Sequence, residues 1–337
     1  MLNKKTTLYS LKDVAIMPAT ISYIEHRSEC NPYYSNNKLP IFTAPMPCVV
    51  DSSTYELFEK YGINAILPRT ENIGFRLSIC TKQWCAFSLN EFKKYFIDEK
   101  ITNGILYILI DIANGNMKRL YDMSKTAKEF YGDRLKLMVG NVANPETFRK
   151  FCEIGVDYVR CSVGSGCACI TSTCLGILYP MASLIDDCYQ IKENNGYNTK
   201  IVADGGLSSY RRMIKALALG ADYVMLGSTL NKLEDSAGEV IVKTELNENG
   251  TYQQKYKEYY GMASEKGMKM LGKTGTPEGK IIYNKCNGTI ESFTNEFTDY
   301  LRSAMSYCNI RDIEYFVGGP ELNILSENAS NQFNQTR

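Results

Sequence analysis

Residues 200–228 read KIVADGGLSSYRRMIKALALGADYVMLGS and contain one complete structural unit. An apolar run, Lys200–Ala203, predicts a strand that ends on an aspartate and two glycines. Ser209–Gly220 has helical periodicity, and Tyr223–Leu226 predicts the next strand, which ends at Gly227. A strand, a helix and a second strand in this order predict a βαβ unit with parallel strands.

The same alternation runs through most of the chain. It predicts eight strands, near Ile41–Ala44, Ala65–Leu67, Trp84–Phe87, Gly104–Asp111, Leu135–Val139, Tyr158–Cys161, Lys200–Ala203 and Tyr223–Leu226. Helices are predicted between them, at Ser53–Tyr61, Leu89–Glu99, Met117–Tyr131, Pro145–Gly155, Pro180–Asn194 and Ser209–Gly220. Eight alternations favour an α/β fold of the closed type, a single (β/α)8 TIM barrel that occupies residues 1–337.

Short signals mark where several predicted helices begin and end. Asn144-Pro145 and Ser208-Ser209 place a capping residue before a periodic run. Gly155 and Gly220 each precede a small residue, an aspartate and a new strand, as expected where glycine closes a helix.

Two regions depart from this rhythm. Residues 231–295 are polar and contain many glycines, and we expect a long excursion, partly a mobile flap, before a last helix at Ile290–Tyr307. Residues 326–337 are rich in Asn, Ser and Gln and are expected to form a disordered tail.

Composition excludes several classes of function. A formal net charge of +1 gives no reason to expect nucleic acid or an anionic membrane as partner, and no apolar run is long enough to cross a bilayer. Twelve scattered cysteines and the lack of a signal peptide predict reduced thiols and a cytoplasmic location. His26 is the only histidine and lies in a polar segment, so it is expected on the surface. Acid–base chemistry then falls to carboxylates, hydroxyls or lysines.

The predicted strand ends carry small and polar residues, and in such barrels these ends form the active site. Gly205-Gly206 and Gly227-Ser228 follow the last two strands, where backbone amides commonly bind phosphate. Asp204 is suited to accept hydrogen bonds from ribose hydroxyls, and a simple turn aspartate is the alternative.

Residues 164–171, GSGCACIT, follow the sixth predicted strand. A thiol in a glycine-rich loop, surrounded by amide dipoles, is of the kind that ionises and attacks an electrophilic carbon. A glycine-rich turn with a buried structural cysteine is the alternative for this segment alone.

Taken in order, these motifs resemble the IMP dehydrogenase/GMP reductase family from about Leu11 to Phe316. The resemblance implies that Cys169 is the nucleophile that adds to purine C2 and that Thr171 is its partner hydroxyl. It implies a homotetramer and, at the backbone of Gly164, Gly166 and Cys169, a monovalent cation such as K+. The nucleotide contacts it implies are Met46, Asn141, Ser165, Gly166, Asp204, Gly205, Gly206, Gly227, Ser228, Tyr259, Gly261 and Met262, and the nicotinamide cofactor contacts are Asp111, Ala113 and Gly115.

Within the family, three features resemble GMP reductase, which converts GMP to IMP and ammonia with NADPH. Glu265 occupies the position of a catalytic glutamate, and 111–115 resembles the reductase form of that loop. Residues 271–289 lack the Arg-Tyr pair with which dehydrogenases activate water. We expect acid catalysis by Glu265 to require a raised pKa, whereas a solvated carboxylate at a helix start is the alternative.

Other interpretations stay open at this point. Ser172-Thr173 stands where many reductases carry basic residues, so NADH is an alternative to NADPH, and Gly164-Ser165-Gly166 is closer to the dehydrogenase pattern. IMP dehydrogenase, which oxidises IMP to XMP with NAD, is the second enzymatic hypothesis. A purine-nucleotide sensor without catalysis is the hypothesis from another class.

Overall fold

The computed structural model describes residues 7–101, 104–162, 171–248 and 250–335. The strands are β1 (Val14–Ile16), β2 (Ile41–Thr43), β3 (Ile66–Leu67), β4 (Trp84–Phe87), β5 (Leu106–Asp111), β6 (Leu135–Val142), β7 (Tyr158–Cys161), β8 (Lys200–Asp204), β9 (Tyr223–Leu226), β10 (Val240–Asn247), β11 (Gly250–Tyr260), β12 (Ile281–Lys285) and β13 (Leu322–Ile324). The α-helices are α1 (Tyr55–Lys60), α2 (Ile73–Ile79), α3 (Leu89–Phe92), α4 (Lys118–Tyr131), α5 (Pro145–Glu153), α6 (Thr171–Leu175), α7 (Met181–Asn195), α8 (Tyr210–Ala218), α9 (Ser228–Asn231), α10 (Glu265–Met270), α11 (Ile290–Tyr307), α12 (Ile313–Phe316) and α13 (Glu327–Gln335). A π-helical stretch, Lys93–Asp98, continues α3.

Strands β2 to β9 form one parallel sheet, in the order β2-β9-β8-β7-β6-β5-β4-β3. The sheet is nearly closed, and hydrogen bonds bridge the seam between β2 and β3. The Thr43 amide donates to the Asn64 carbonyl (2.9 Å), and the Ile66 amide donates to the Thr43 hydroxyl (2.8 Å). Helices lie between successive strands, so the predicted (β/α)8 barrel is confirmed.

All eight predicted strands are present, and β6 shows the largest difference. It was expected to end at Val139 and continues to Val142, with an irregular register against β7. Gly140 explains this continuation, because a Cβ at this residue would lie 2.6 Å from the Cβ of Arg160. This glycine permits close contact between strands.

Aromatic side chains fill the interior at the amino-terminal ends of the strands. Phe42 lies at the centre, with ring centroids 5.7 Å from Trp84, 5.9 Å from Tyr158 and 4.9 Å from Tyr223. Side chains alternate along a strand, so Tyr158 and Arg160 both point inward from β7. The barrel is therefore apolar at one end and polar at the other, where the candidate site lies.

Two aspartates, one half-buried and one buried, link helices to strand starts on the outside of the barrel. Asp157 accepts hydrogen bonds from the Leu137 amide (2.9 Å) and from Lys128 (2.8 Å). Asp222 accepts the Ile201 amide (2.8 Å) and Lys192 (3.0 Å) in the same way. Each follows a positive-φ glycine, Gly155 or Gly220, so the predicted helix-ending role of these glycines is confirmed.

Both predicted cap positions are confirmed, and one of the two side chains makes a capping hydrogen bond. Asn144 caps α5 and accepts the Glu146 amide at 2.9 Å, as expected. Ser209 occupies the cap position of α8, but its hydroxyl is buried and has no hydrogen-bond partner within the described residues. None of the described helices is long and apolar enough to span a membrane.

The excursion after α9 is more regular than expected. It forms a three-stranded antiparallel sheet, β10-β11-β12, together with α10. Helix α11 already begins at Ile290, so the excursion ends before the predicted limit at residue 295. Its mobility stays a prediction.

The carboxyl-terminal segment differs from the disordered tail that was expected for residues 326–337. Residues 327–335 form α13, and the Ser330 hydroxyl donates to the Lys12 carbonyl at 2.9 Å. The Phe333 ring packs against two cations, 5.4 Å from the Arg211 guanidinium and 4.7 Å from the Lys215 ammonium. The polar composition of this segment did not predict a helix, because tertiary contacts rather than local propensity stabilise it.

Candidate active site

The carboxyl ends of the barrel strands bring the predicted rim residues to one edge. Asp111 pairs with Gly140 across β5 and β6, and Asp204 pairs with Met225 across β8 and β9. Gly227 follows β9 directly. Residues from distant parts of the sequence therefore surround a single opening.

A buried arginine connects the two aspartates of this rim. Arg160 donates to Asp111 at 2.7 Å and to Asp204 at 2.8 Å. Arg69 donates to the other oxygen of Asp111 at 2.9 Å, and the Asn141 amide donates to Asp204 at 3.0 Å. These five side chains, which we call the rim network, fix the orientation of both carboxylates.

The charges of the rim network stabilise one another. Burial raises the pKa of Asp111, but the Arg69 and Arg160 guanidiniums outweigh burial and hold this pKa below its usual value. Burial lowers the pKa of Arg160, and the two aspartates more than restore it. Asp111 is therefore ionised near neutrality, which suits it to orient groups rather than to shuttle protons.

Neither arginine of the rim network was predicted from the sequence. Arg160 was treated only as part of a strand, and Arg69, just after β3, was not considered. A signal for Arg160 did exist, because it is a lone charge on the inward side of a buried strand.

The candidate cofactor loop, residues 111–115, is joined to the end of β6. The Ile112 amide donates to the Gly140 carbonyl (3.1 Å), and the Gly115 amide donates to the Asn141 carbonyl (2.7 Å). A Cβ at Gly115 would lie 2.5 Å from that carbonyl oxygen, so glycine is required there. Asp111 and Gly115 thus lie beside the end of β6, and the cofactor contacts of Asp111, Ala113 and Gly115 stay predictions.

The candidate phosphate side lies around β8, β9 and β11. Gly205 and Gly206 have φ angles of +95° and +73°, which favour glycine. Tyr259 reaches across to Met46, with its hydroxyl 3.8 Å from the sulfur. A Cβ at Gly227 would lie 2.5 Å from the same hydroxyl, so these three residues meet at one point.

Gly261 and Met262 lie between β11 and α10, close to this side. The buried Ser264 side chain donates to the Gly261 carbonyl at 2.6 Å and accepts the Gly267 amide at 3.2 Å. Gly267 itself packs tightly, since a Cβ there would lie 2.5 Å from the Gly261 oxygen. The turn that carries both predicted contacts is thus held by side-chain and backbone contacts.

Comparison with known proteins identifies the family. The sequence model described as IMP dehydrogenase / GMP reductase domain matches residues 85–332. The chain belongs to this family. It is an oxidoreductase of this family, and its rim network lies at the carboxyl ends of the barrel strands.

Individual relatives are similar along most of the chain. A GMP reductase of Helicobacter pylori strain ATCC 700392 / 26695 is 29% identical over 321 residues, which cover 91% of this chain and 93% of that protein. A GMP reductase of Staphylococcus epidermidis strain RP62A is 29% identical over 324 residues, with the same coverage. An inosine-5'-monophosphate dehydrogenase of Chlorobaculum parvum is 31% identical over 233 residues, which cover 65% of this chain and 45% of that protein.

The family's cysteine loop lies largely outside the described residues. This applies to Gly164, Ser165, Gly166 and Cys169, and therefore also to the predicted cation site. Thr171 is the first residue of α6, and its side chain also lies outside the described part. The roles of these residues stay predictions.

Glu265 lies in an environment different from the one expected. It begins α10 with 69% of its side chain exposed, and Lys269 donates to it at 2.7 Å. This hydrogen bond and the charge of Lys269 hold the pKa of Glu265 below its usual value. The expected raised pKa is therefore wrong for this arrangement, because the carboxylate is solvated and paired.

His26 agrees with its prediction. It is exposed and caps the short 3-10 helix at Arg27–Glu29 by accepting the Ser28 amide. It lies outside the rim network and serves local structure.

Proposed function

We propose that this protein is a GMP reductase, which converts GMP to IMP and ammonia with NADPH as reductant. Similarity to the two GMP reductases supports this, because it extends over 93% of each of those proteins. The match to the dehydrogenase covers 45% of that protein.

The observation that carries the proposal concerns residues 271–289. This segment contains no arginine, and its only aromatic residue is Tyr283. The Tyr283 hydroxyl donates to Glu258 at 3.1 Å, and Lys243 lies 4.7 Å from the centre of its ring. Tyr283 is thus bound on the exposed sheet of the excursion, and the segment offers no pair to activate water for hydrolysis.

In the proposed reaction the Cys169 thiolate adds to C2 of the purine, and the amino group leaves as ammonia after protonation. NADPH, when bound, supplies a hydride to the same carbon. The C–S bond then breaks, which releases IMP and restores the thiolate. The sum is GMP, NADPH and two protons converted to IMP, ammonium and NADP+. Glu265 and Thr171 are proposed to deliver the proton to the leaving amine, which requires the Glu265 carboxylate to leave Lys269 when the nucleotide binds.

The rim network fits a nicotinamide cofactor. Within the described residues the Nε–H of Arg160 is buried without a hydrogen-bond partner, beside Asp111. A buried donor of this kind is costly unless it is satisfied, and a carboxamide oxygen is a suitable acceptor. Asp111 and Gly115 would hold the cofactor at this rim.

The nucleotide would lie across the opposite side of the opening. Asp204, already oriented by Arg160 and Asn141, is proposed to accept hydrogen bonds from the ribose hydroxyls. The amides after Gly206 and Gly227 would bind the phosphate. Met46, held by Tyr259, would contact the base. A homotetramer, a K+ requirement and the preference for NADPH over NADH stay predictions.

IMP dehydrogenase is the second candidate, favoured by the pattern Gly164-Ser165-Gly166. Two parallel mixtures separate the candidates, one with GMP and NADPH and one with IMP and NAD. The proposal expects a loss of nicotinamide absorbance in the first mixture. A gain in the second mixture with none lost in the first would establish the dehydrogenase, and no change in either would leave a nucleotide sensor.

A further inference from the structure

A buried pair of asparagines joins the excursion to the candidate phosphate site. Asn231 ends α9, and Asn284 lies on β12. The Asn284 side-chain amide donates to the side-chain oxygen of Asn231 at 2.7 Å and to the Ser228 hydroxyl at 3.3 Å. Asn231 is fully buried and 8% of Asn284 is exposed, so water does not easily replace these bonds.

Both amide orientations are fixed by their surroundings. Asn231 donates through its nitrogen to the carbonyls of Cys48 (2.7 Å) and Glu258 (3.1 Å), so its oxygen faces Asn284. An oxygen can only accept, and therefore Asn284 must present its NH2 group. The second hydrogen of that group is then directed at the Ser228 oxygen.

We propose that Asn284 is a positioning residue that sets the Ser228 hydroxyl as a hydrogen-bond donor toward the phosphate of the nucleotide. A hydroxyl that accepts a bond from an amide nitrogen must point its own hydrogen elsewhere. Ser228 follows Gly227 at the rim, where the proposed function places the phosphate, and the inference rests on that proposed function. A phosphate dianion is the acceptor for which such a donor is best suited.

The same pair connects the phosphate side with the base side. The two carbonyls that Asn231 binds belong to the segment after Met46 and to the strand that carries Tyr259. Asn231 therefore fixes the distance between α9 and the contact of Met46 with Tyr259. Loss of Asn284 alone should leave these carbonyl bonds in place and should affect mainly Ser228.

The test compares affinity for GMP with affinity for guanosine, which lacks the phosphate. Asn284→Ala should weaken GMP binding by about tenfold, since one charge-assisted hydrogen bond is worth roughly that or more. Guanosine binding should change by less than about threefold, because guanosine has no phosphate for the Ser228 hydroxyl to bind and the remaining contacts are independent of Asn284. Asn284→Asp should be worse for GMP, because it presents an acceptor and a negative charge to the phosphate site. Calorimetric titration measures both ligands.

Asn64→Ala is the matched control. The Asn64 amide also donates to two carbonyls, of Leu39 (3.3 Å) and Ile41 (2.9 Å), but at the opposite end of the barrel. It should lower the melting temperature without changing the ratio of GMP to guanosine affinity. In a Ser228→Ala background, Asn284→Ala should not weaken GMP binding further, because the hydroxyl through which Asn284 acts is absent.

The outcomes separate the inference from the proposed function. If wild-type protein prefers GMP and Asn284→Ala keeps the full preference, the role of Asn284 is refuted. Equal losses of affinity for GMP and guanosine, or the same loss of GMP affinity in Asn64→Ala, would mean that Asn231 and Asn284 only support the fold. A wild-type protein that binds GMP no better than guanosine would instead refute the nucleotide site itself. If Asn284→Asp does not fold, Asn284→Ala and the Ser228→Ala background still decide the question.

Discussion

Replacing Arg160 with methionine tests the rim network most severely. The change removes the 2.7 Å bond to Asp111 and the 2.8 Å bond to Asp204. Asp111 keeps Arg69 at 2.9 Å, whereas Asp204 keeps only the neutral amide of Asn141 among the members of the network. Arg160→Met should therefore remove the only charged partner that Asp204 has within the network, whereas Asp111 keeps one.

The expected loss of stability follows from these hydrogen bonds. Each charge-assisted hydrogen bond contributes about 1.5–3 kcal/mol, so two bonds amount to about 3–6 kcal/mol. Removal of one partner from a buried ion pair costs about 3–5 kcal/mol in general, which agrees. For a chain of this length we expect the melting temperature to fall by roughly 4–8 °C. The same variant should lose at least about a hundredfold in kcat/KM, because both carboxylates lose their orientation.

Arg76→Met is the matched control for this experiment. Arg76 is also a buried arginine, 2% exposed, and donates to Glu91 and to the Ala86 carbonyl, both at 2.7 Å. It belongs to α2, outside the rim network. It should destabilise the fold to a similar extent while kcat/KM of the remaining folded protein is retained. Differential scanning calorimetry and steady-state kinetics on both variants decide the matter. A change in melting temperature below about 2 °C for Arg160→Met, or equal kinetic losses in both variants, would refute the reasoning.

Three further substitutions test individual roles. Cys169→Ala should abolish turnover while the affinity for GMP stays within about threefold, since the nucleophile acts on the chemical step; retained activity, or a dead Cys167→Ala in its place, would contradict the assignment. Asp204→Ala should raise KM for GMP about 10- to 100-fold through loss of a charge-assisted contact, and an unchanged KM would make Asp204 a turn residue. Glu265→Gln should slow release of ammonia from GMP far more than hydride exchange between IMP and NADP+, because an amide cannot transfer the proton. Equal losses in the two half-reactions would mean that Glu265 only organises its turn.

The barrel could be predicted from sequence because its strands are short buried runs separated by amphipathic helices. Gly155 and Gly220 marked helix ends correctly, since a positive φ angle is a local requirement. The end of β6 was predicted too early, because the close contact at Gly140 comes from the neighbouring strand and not from a local signal. Helix α13 was missed for a similar reason, because its contacts, such as that of Phe333 with Lys215, are made with distant parts of the chain.

Three members of the rim network could be placed from the sequence, but its arginines and its electrostatics could not. Asp111, Asn141 and Asp204 were expected at the rim, and the structure brings them together. Arg160, which joins the two aspartates, has no motif of its own and becomes visible only through its partners. The pKa of Glu265 likewise depends on its exposure to solvent and on Lys269, which lies one helical turn away. The sequence motif around Glu265 specifies neither of these.

The central claim is reductive deamination at purine C2, and an isotope experiment tests it most directly. The protein is incubated with GMP and NADPH that carries deuterium at the transferable position of the nicotinamide ring. We predict IMP with deuterium at C2, together with one ammonia for each NADPH oxidised. IMP without deuterium, or no consumption of NADPH while IMP and NAD yield XMP, would contradict the account.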